Sequence, residues 1–340
     1  MWIPGNKRKP LRKAWIRVDA NTRIGRGHLS RCMALAEMLK ADFAIVFLIA
    51  AANKSFCQPL LADWEVCYME DEAVLLALLQ KDDLLLVDSY EIDNDWRIKH
   101  KPLVHTLVDV NDIPGQISGA HVILNHCPAL QPDRYTTDEN TLLLLGMDYA
   151  ILRPDFLSYA QNAPVQISGT GVFICFGGAD PHLLGHKAAQ ELLIAGFKDP
   201  VYLVSAAESE LTAQLMGYEN FHLLSHLNAA AMRTHMLKAR VLLLSASILS
   251  FEAVALRKPL LALYYVDNQE LIYEGLVKLG MAKGYGKVAS AEDMIGIYQD
   301  FESLYSDDAT LQKMVIQQQL MLDGQSKDRV RDCLVRKLIH

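Results

Sequence analysis

The chain has 340 residues, 51% hydrophobic and 21% charged, with a formal net charge of −7. This is the balance of a soluble globular protein long enough for two cores, and it offers no overall basic field for nucleic acid. No apolar run reaches the roughly 18 residues that a membrane helix needs.

The chain opens on a basic cluster, Lys7, Arg8, Lys9, Arg12 and Lys13, read as a solvated arm. Leu11 to Ile16 is too short and too charged for the apolar core of a signal peptide. Six cysteines (Cys32, Cys57, Cys67, Cys127, Cys175 and Cys333) are scattered, without paired metal-ligand spacing. Cys32 and Cys175 fall in apolar segments and read as small buried hydrophobes. A reduced, cytoplasmic setting fits this usage.

Short apolar runs then alternate with helical patterns. Ala14–Asp19 reads as a strand and His28–Lys40 as a helix. Phe43–Ile49, Leu84–Asp88, Leu103–Asp109, Val122–Leu124 and Leu142–Leu145 read as further strands. Continuous apolar runs of this length fit buried parallel strands, and their alternation with helices fits doubly wound βαβ units. A polar stretch from Ser158 to Gly171 reads as a linker. After it the pattern restarts. Val172–Phe176, Val201–Ser205, Val241–Leu244 and Leu260–Tyr264 read as strands, with helices from about Leu183 and over Asn228–Lys238. The expectation is an α/β chain of two Rossmann-like domains, 1–157 and 172–340, facing a central cleft. The tail from about Ala289 is helical and polar.

The motifs fall at strand ends. Arg17 to Arg31 runs from a strand ending in Asp19, through Gly25-Arg26-Gly27, to His28 at a helix start. Glycine lets a backbone approach a ligand closely, and a helix start favours negative charge. His28 reads as a general base, kept neutral by the helix start. Asp88-Ser89-Tyr90 closes another strand with an acid and a phenol. Asp109 and Asp112 are two nearby carboxylates without an evident third metal ligand.

The second half opens with Phe176-Gly177-Gly178-Ala179-Asp180, a loop suited to phosphates. It lacks a P-loop lysine and dinucleotide-fingerprint spacing, which disfavours an ATPase or an NAD enzyme. Ser245-Ala246-Ser247 precedes a helix that carries Glu252. These residues suit a diphosphate and a ribose, or alternatively an ordinary N-cap and a dipole-pairing acid. Tyr265-Val266-Asp267-Asn268-Gln269 offers amides for a sugar's hydroxyl or acetamido groups.

In this order the motifs resemble the UDP-sugar hydrolases of pseudaminic acid biosynthesis, which are related to the two-domain GT-B glycosyltransferases. The resembling segments are Arg17–Arg31, Asp88-Ser89-Tyr90, Gly146–Phe156, Ile174–Asp180, Ser245–Glu252 and Tyr265–Gln269. The resemblance implies hydrolysis of UDP-2,4-diacetamido-2,4,6-trideoxy-beta-L-altropyranose by water attack at the anomeric carbon, with C–O cleavage and inversion. It implies no metal and no cofactor. His28 is then the base and Tyr90 a second active-site residue. Asn268 and Gln269 contact the sugar, together with Asp19, Gly25 and Gly27. Gly177, Gly178, Ser245, Ser247 and Glu252 hold UDP. The run Asp323-Gly324-Gln325-Ser326-Lys327 lacks a second glycine that the family often carries. The same fold also serves glycosyltransferases that pass the sugar to an acceptor, so the fold leaves the chemistry open. A monomer with a small-molecule partner, and without nucleic acid or membrane, is expected.

Overall fold

The computed structural model describes residues 12–21, 27–177, 180–207 and 209–337. The basic residues Lys7, Arg8 and Lys9 lie outside the described residues, as do Gly25 and Gly178. Within the described residues the chain divides into two compact units.

The main sheet of the first unit has seven strands. They are β1 (Arg12–Val18), β2 (Phe43–Ala50), β3 (Glu65–Met69), β4 (Leu84–Asp88), β5 (Thr106–Val110), β6 (Val122–Asn125) and β7 (Leu142–Leu145). They lie in the order β3-β2-β1-β4-β5-β6-β7. β1 pairs in parallel with both β2 and β4, β2 with β3, β4 with β5, and β5 with β6. Every residue of β4 and β5 is buried, as expected of parallel strands covered on both faces.

The second unit repeats the plan with β8 (Val172–Cys175), β9 (Val201–Val204), β10 (Phe221–Leu224), β11 (Val241–Ser245), β12 (Leu260–Tyr264) and β13 (Lys283–Lys287). Their order is β10-β9-β8-β11-β12-β13, and all neighbours are parallel. Each sheet winds outward from its first strand, then returns beside that strand and winds the other way. The reversal falls between β1 and β4 in one sheet and between β8 and β11 in the other. Ligands of open α/β sheets bind outside the carboxyl ends of strands at such a reversal. Asp19 and Asp88-Ser89-Tyr90 follow β1 and β4, whereas Gly177 follows β8 and Ser245 ends β11.

The α/β class and parallel sheets are those the apolar runs indicate. Three strands of these two sheets were not visible in the sequence: β3, β10 and β13. All three lie at sheet edges. β13 reads Lys-Gly-Tyr-Gly-Lys and has no buried residue, because an edge strand needs no continuous apolar run. The expected strand Leu103–Asp109 starts later, at Thr106. Residues Lys101–Leu103 form a 3-10 turn around Pro102, which has no N–H to give a ladder.

The unit boundaries also differ from the expected 1–157 and 172–340. Residues 126–131 and 145–327 group together, and 132–144 and 328 onward group with the first unit. The expected linker begins inside a helix, Pro154–Ala160. That helix belongs to the second unit, where Ala160 accepts from the Arg257 guanidinium at 3.3 Å. His126 stacks on Phe251 at 4.2 Å and accepts from the Ile151 amide at 3.1 Å. In the first unit, the C-terminal helix Ser326–Lys337 sends Arg331 as a fork onto Asp42, at 2.5 and 2.8 Å.

Candidate active site

In the first unit Val18 of β1 pairs with Asp88 of β4, so the two strand ends lie side by side. Helix Gly27–Leu39 follows the β1 loop and presents His28 and Arg31, three residues apart, on one face. Both are buried, at 8% and 3% exposure. His28 Nδ1 pairs with Asp88 Oδ1. Arg31 grips the same carboxylate from the side, Nε to Oδ2 at 2.9 Å and Nη2 to Oδ1 at 2.7 Å. The remaining Arg31 nitrogen donates to Asp112. The Tyr90 hydroxyl donates to the other Asp112 oxygen at 3.0 Å, and its half-exposed ring stands edge-on to the His28 ring at 4.6 Å.

These contacts move the titration of His28 upward. The helix start was read as keeping the ring neutral. Burial does pull its pKa down, but Asp88, seconded by Asp112, outweighs burial and Arg31, so His28 titrates above its ordinary 6.5. Asp88 in turn is opposed by burial, yet Arg31 and His28 hold it well below the usual carboxylate range. An anion bonded to Nδ1–H fixes the tautomer and leaves Nε2 as the proton acceptor.

Asp19 is buried, accepts from Arg17 Nη1 at 2.5 Å and from the Ser89 hydroxyl, and so braces β1 against the β4 turn. Arg17 extends this brace to Glu72 at 2.8 Å. Gly27 is exposed, and an added Cβ there would meet nothing within 4 Å. Asp109 and Asp112 do not form a metal pair. Asp112 serves Arg31 and Tyr90, while Asp109 faces Arg97 at 3.2 Å, with burial pushing its carboxyl up to about 6.

In the second unit the strand ends of β8 and β12 meet through Tyr265, a residue to which the sequence assigned no role of its own. Its hydroxyl donates to the Phe176 carbonyl at 2.7 Å, and its amide donates to Gln269 Oε1 at 3.2 Å. Gln269 is buried, whereas Asn268 is exposed beside it in the turn Asp267–Gln269. Gly177 has a φ of +98°, a backbone angle that calls for glycine whatever the space around it.

The two helix starts of this unit differ. The helix after the glycine loop, Leu184–Ile194, has its first amides taken by Asp180, which accepts from Gly185 at 2.7 Å and His186 at 3.2 Å. Asp180 also holds His186 Nδ1 at 2.5 Å. Two amides of that helix start are therefore bonded to the protein's own carboxylate. Helix Ile248–Ala255 is the opposite case. Its N-cap residue, Ser247, makes no side-chain cap; its hydroxyl donates to the Ser245 carbonyl at 3.3 Å. Ser245 is buried at the end of β11.

Glu252, further along this helix, is 1% exposed and is clasped by Arg153, Nε to Oε1 at 2.6 Å and Nη2 to Oε2 at 2.7 Å. Burial raises its pKa, and Arg153 offsets part of that rise. Arg153 precedes helix Pro154–Ala160 and was not singled out in the sequence. Arg31 was equally missed, although its spacing of one helical turn from His28 was a signal in the sequence. Among the described residues no group of three or more His, Cys, Asp or Glu is arranged to hold a metal ion, and no helix is long and apolar enough to cross a membrane.

No family model matches the chain. It is 27% identical over 287 residues to the UDP-2,4-diacetamido-2,4,6-trideoxy-beta-L-altropyranose hydrolase of Campylobacter jejuni, covering 80% of this chain and 99% of that protein. It is 25% identical over 289 residues to the uncharacterized protein MJ1062 of Methanocaldococcus jannaschii. That match covers 78% of this chain but only 58% of the archaeal protein's length. Among solved structures, the glycotransferase of kitacinnamycin matches with a TM-score of 0.62 at 13% identity, over 97% of this chain and 99% of that one. This likeness concerns the fold, an α/β architecture of two parallel-sheet units of the GT-B type.

Proposed function

We propose that the chain is a sugar-nucleotide-processing enzyme that hydrolyses UDP-2,4-diacetamido-2,4,6-trideoxy-beta-L-altropyranose to the free sugar and UDP. The observation that carries this reading is the buried His28–Asp88 pair at the β1–β4 reversal. The name of the Campylobacter relative supports the substrate.

His28 Nε2 takes a proton from water, and the water oxygen bonds to the anomeric carbon. The bond from that carbon to the diphosphate oxygen breaks, and its electron pair leaves with UDP. Attack opposite the leaving group inverts the centre. Asp88 steadies the imidazolium that forms. Ordinary glycosidases add a second carboxyl group to protonate a leaving alcohol. A diphosphate leaves as a stable anion, so this reading needs one base and no metal.

The uncapped start of helix Ile248–Ala255, with Ser245 and Ser247, is the diphosphate seat in this reading. Gly177 lies beside it in the same set of strand ends, and Glu252 and Asn268 are carried as ribose and sugar contacts. The free diacetamido sugar is the form that condensation to pseudaminic acid consumes.

A panel of UDP-sugars with chelator and without acceptor tests the reading. UDP release from the diacetamido-altrose substrate is expected. Release that requires an added acceptor makes the chain a glycosyltransferase, and UDP binding without any turnover makes it a binding module.

A further inference from the structure

We propose that Arg31 and Asp112 are positioning residues that set the acid–base behaviour of His28. Arg31 fixes Asp88 and places a positive charge beside the ring, while Asp112 places a negative one and ties Tyr90 across it. The proposal rests on His28 as the base and adds two residues to which no role has been given.

The geometry is that of a clamp. All three Arg31 nitrogens are used, two on Asp88 and one on Asp112, in a fully enclosed side chain. A fork of this kind fixes the plane of the carboxylate it grips. Asp88 Oδ1 is thereby aimed at His28 Nδ1, and the ring presents Nε2 outward. Nη2 itself stands 3.4 Å from Nδ1. On the other side, Asp112 holds the Tyr90 hydroxyl at 3.0 Å, and the Tyr90 ring meets the imidazole at right angles.

The charged and titratable groups around His28, among the described residues, come from three sources. Asp88 and Tyr90 come from the end of β4, Arg31 from the same helix, and Asp112 from beyond β5. Asp88 and Asp112 favour the protonated ring, and Arg31 opposes it. Removing Arg31 and removing the Asp112 charge therefore move His28 in opposite directions. A merely structural lesion has no reason to produce that pair of signs.

The experiment is a carbon-edited NMR titration of 13C-histidine-labelled full-length chain, with His28→Asn to assign the His28 signal. Arg31→Met is expected to raise the His28 midpoint and Asp112→Asn to lower it, with Arg31→Lys lying between Arg31→Met and the native chain. The acid limb of kcat/KM for UDP release is expected to move in the same two directions. At pH 6.5, Arg31→Met turnover falls roughly tenfold and recovers as pH rises.

Midpoints that coincide with the native one, or that move the same way in both variants, overturn the proposal. Should Arg31→Met fail to fold by circular dichroism, Asp112→Asn decides alone: a lower midpoint supports the proposal, and an unchanged or higher one overturns it. Absence of UDP release from every variant would instead count against the hydrolase reading, because the ring titration requires no substrate.

Discussion

His28 and Arg31 stand one helical turn apart and close on a single carboxylate, Asp88, which is buried at the end of β4. The imidazole and the guanidinium both depend on that anion.

Replacing His28 with Asn removes the base while leaving an amide of similar polarity. Turnover is expected to fall by about 10²–10⁴-fold. UDP affinity, measured by calorimetry, is expected to stay within a few-fold of native. Equal losses in binding and turnover would argue that His28 has a structural role.

The pair also predicts a pH window for stability. His28 has a raised folded pKa, so its contribution is full below the unfolded value of 6.5 and is lost as pH rises through the folded value. Asp88 has a lowered folded pKa, so its contribution is full above the unfolded value of 3.8 and is lost as pH falls through the folded one. The stability gap between the native chain and Asp88→Asn, measured by urea unfolding, is therefore expected to peak between those two unfolded values. A gap that does not vary with pH contradicts the pairing.

Ser247→Asp separates folding from binding in the second unit. A carboxylate at this uncapped N-cap accepts from the helix amides and stabilises the fold by about 1 kcal/mol. The same charge repels a diphosphate, and UDP affinity is expected to fall roughly tenfold or more. Gains or losses of the same sign in unfolding and in calorimetry would remove the diphosphate from this helix start.

The interior of each sheet was legible because β1, β4, β5, β8 and β11 are apolar runs buried on both faces. The edge strands β3, β10 and β13 are half solvated and carry no such run. The site was half legible for a related reason. His28 announces itself at a helix start and Tyr90 and Ser245 at strand ends, but their partners are distant along the chain. Asp88 lies 60 residues from His28, Asp112 lies 81 from Arg31, and Glu252 lies 99 from Arg153. The local cue, a helix start beside His28, favours the neutral ring; the tertiary contact with Asp88 moves its titration upward instead. Asp180 shows the same limit, since a glycine loop before a helix does not reveal that the protein's own acid fills the helix start.

Arg153→Met leaves the Glu252 carboxylate buried without its partner. A cost of roughly 3 kcal/mol is expected by urea unfolding, and the double variant Arg153→Met, Glu252→Met is expected to regain most of it. Additive losses in the double variant would show that the two side chains stabilise the fold independently.

The central claim is that a water held by His28 attacks carbon and that UDP departs with its oxygens intact. Turnover of the diacetamido-altrose nucleotide in 18O-labelled water, with chelator and without acceptor, tests it by mass spectrometry. The account predicts one 18O in the released sugar and none in UDP. Label in UDP, or no release until an acceptor is supplied, would contradict it.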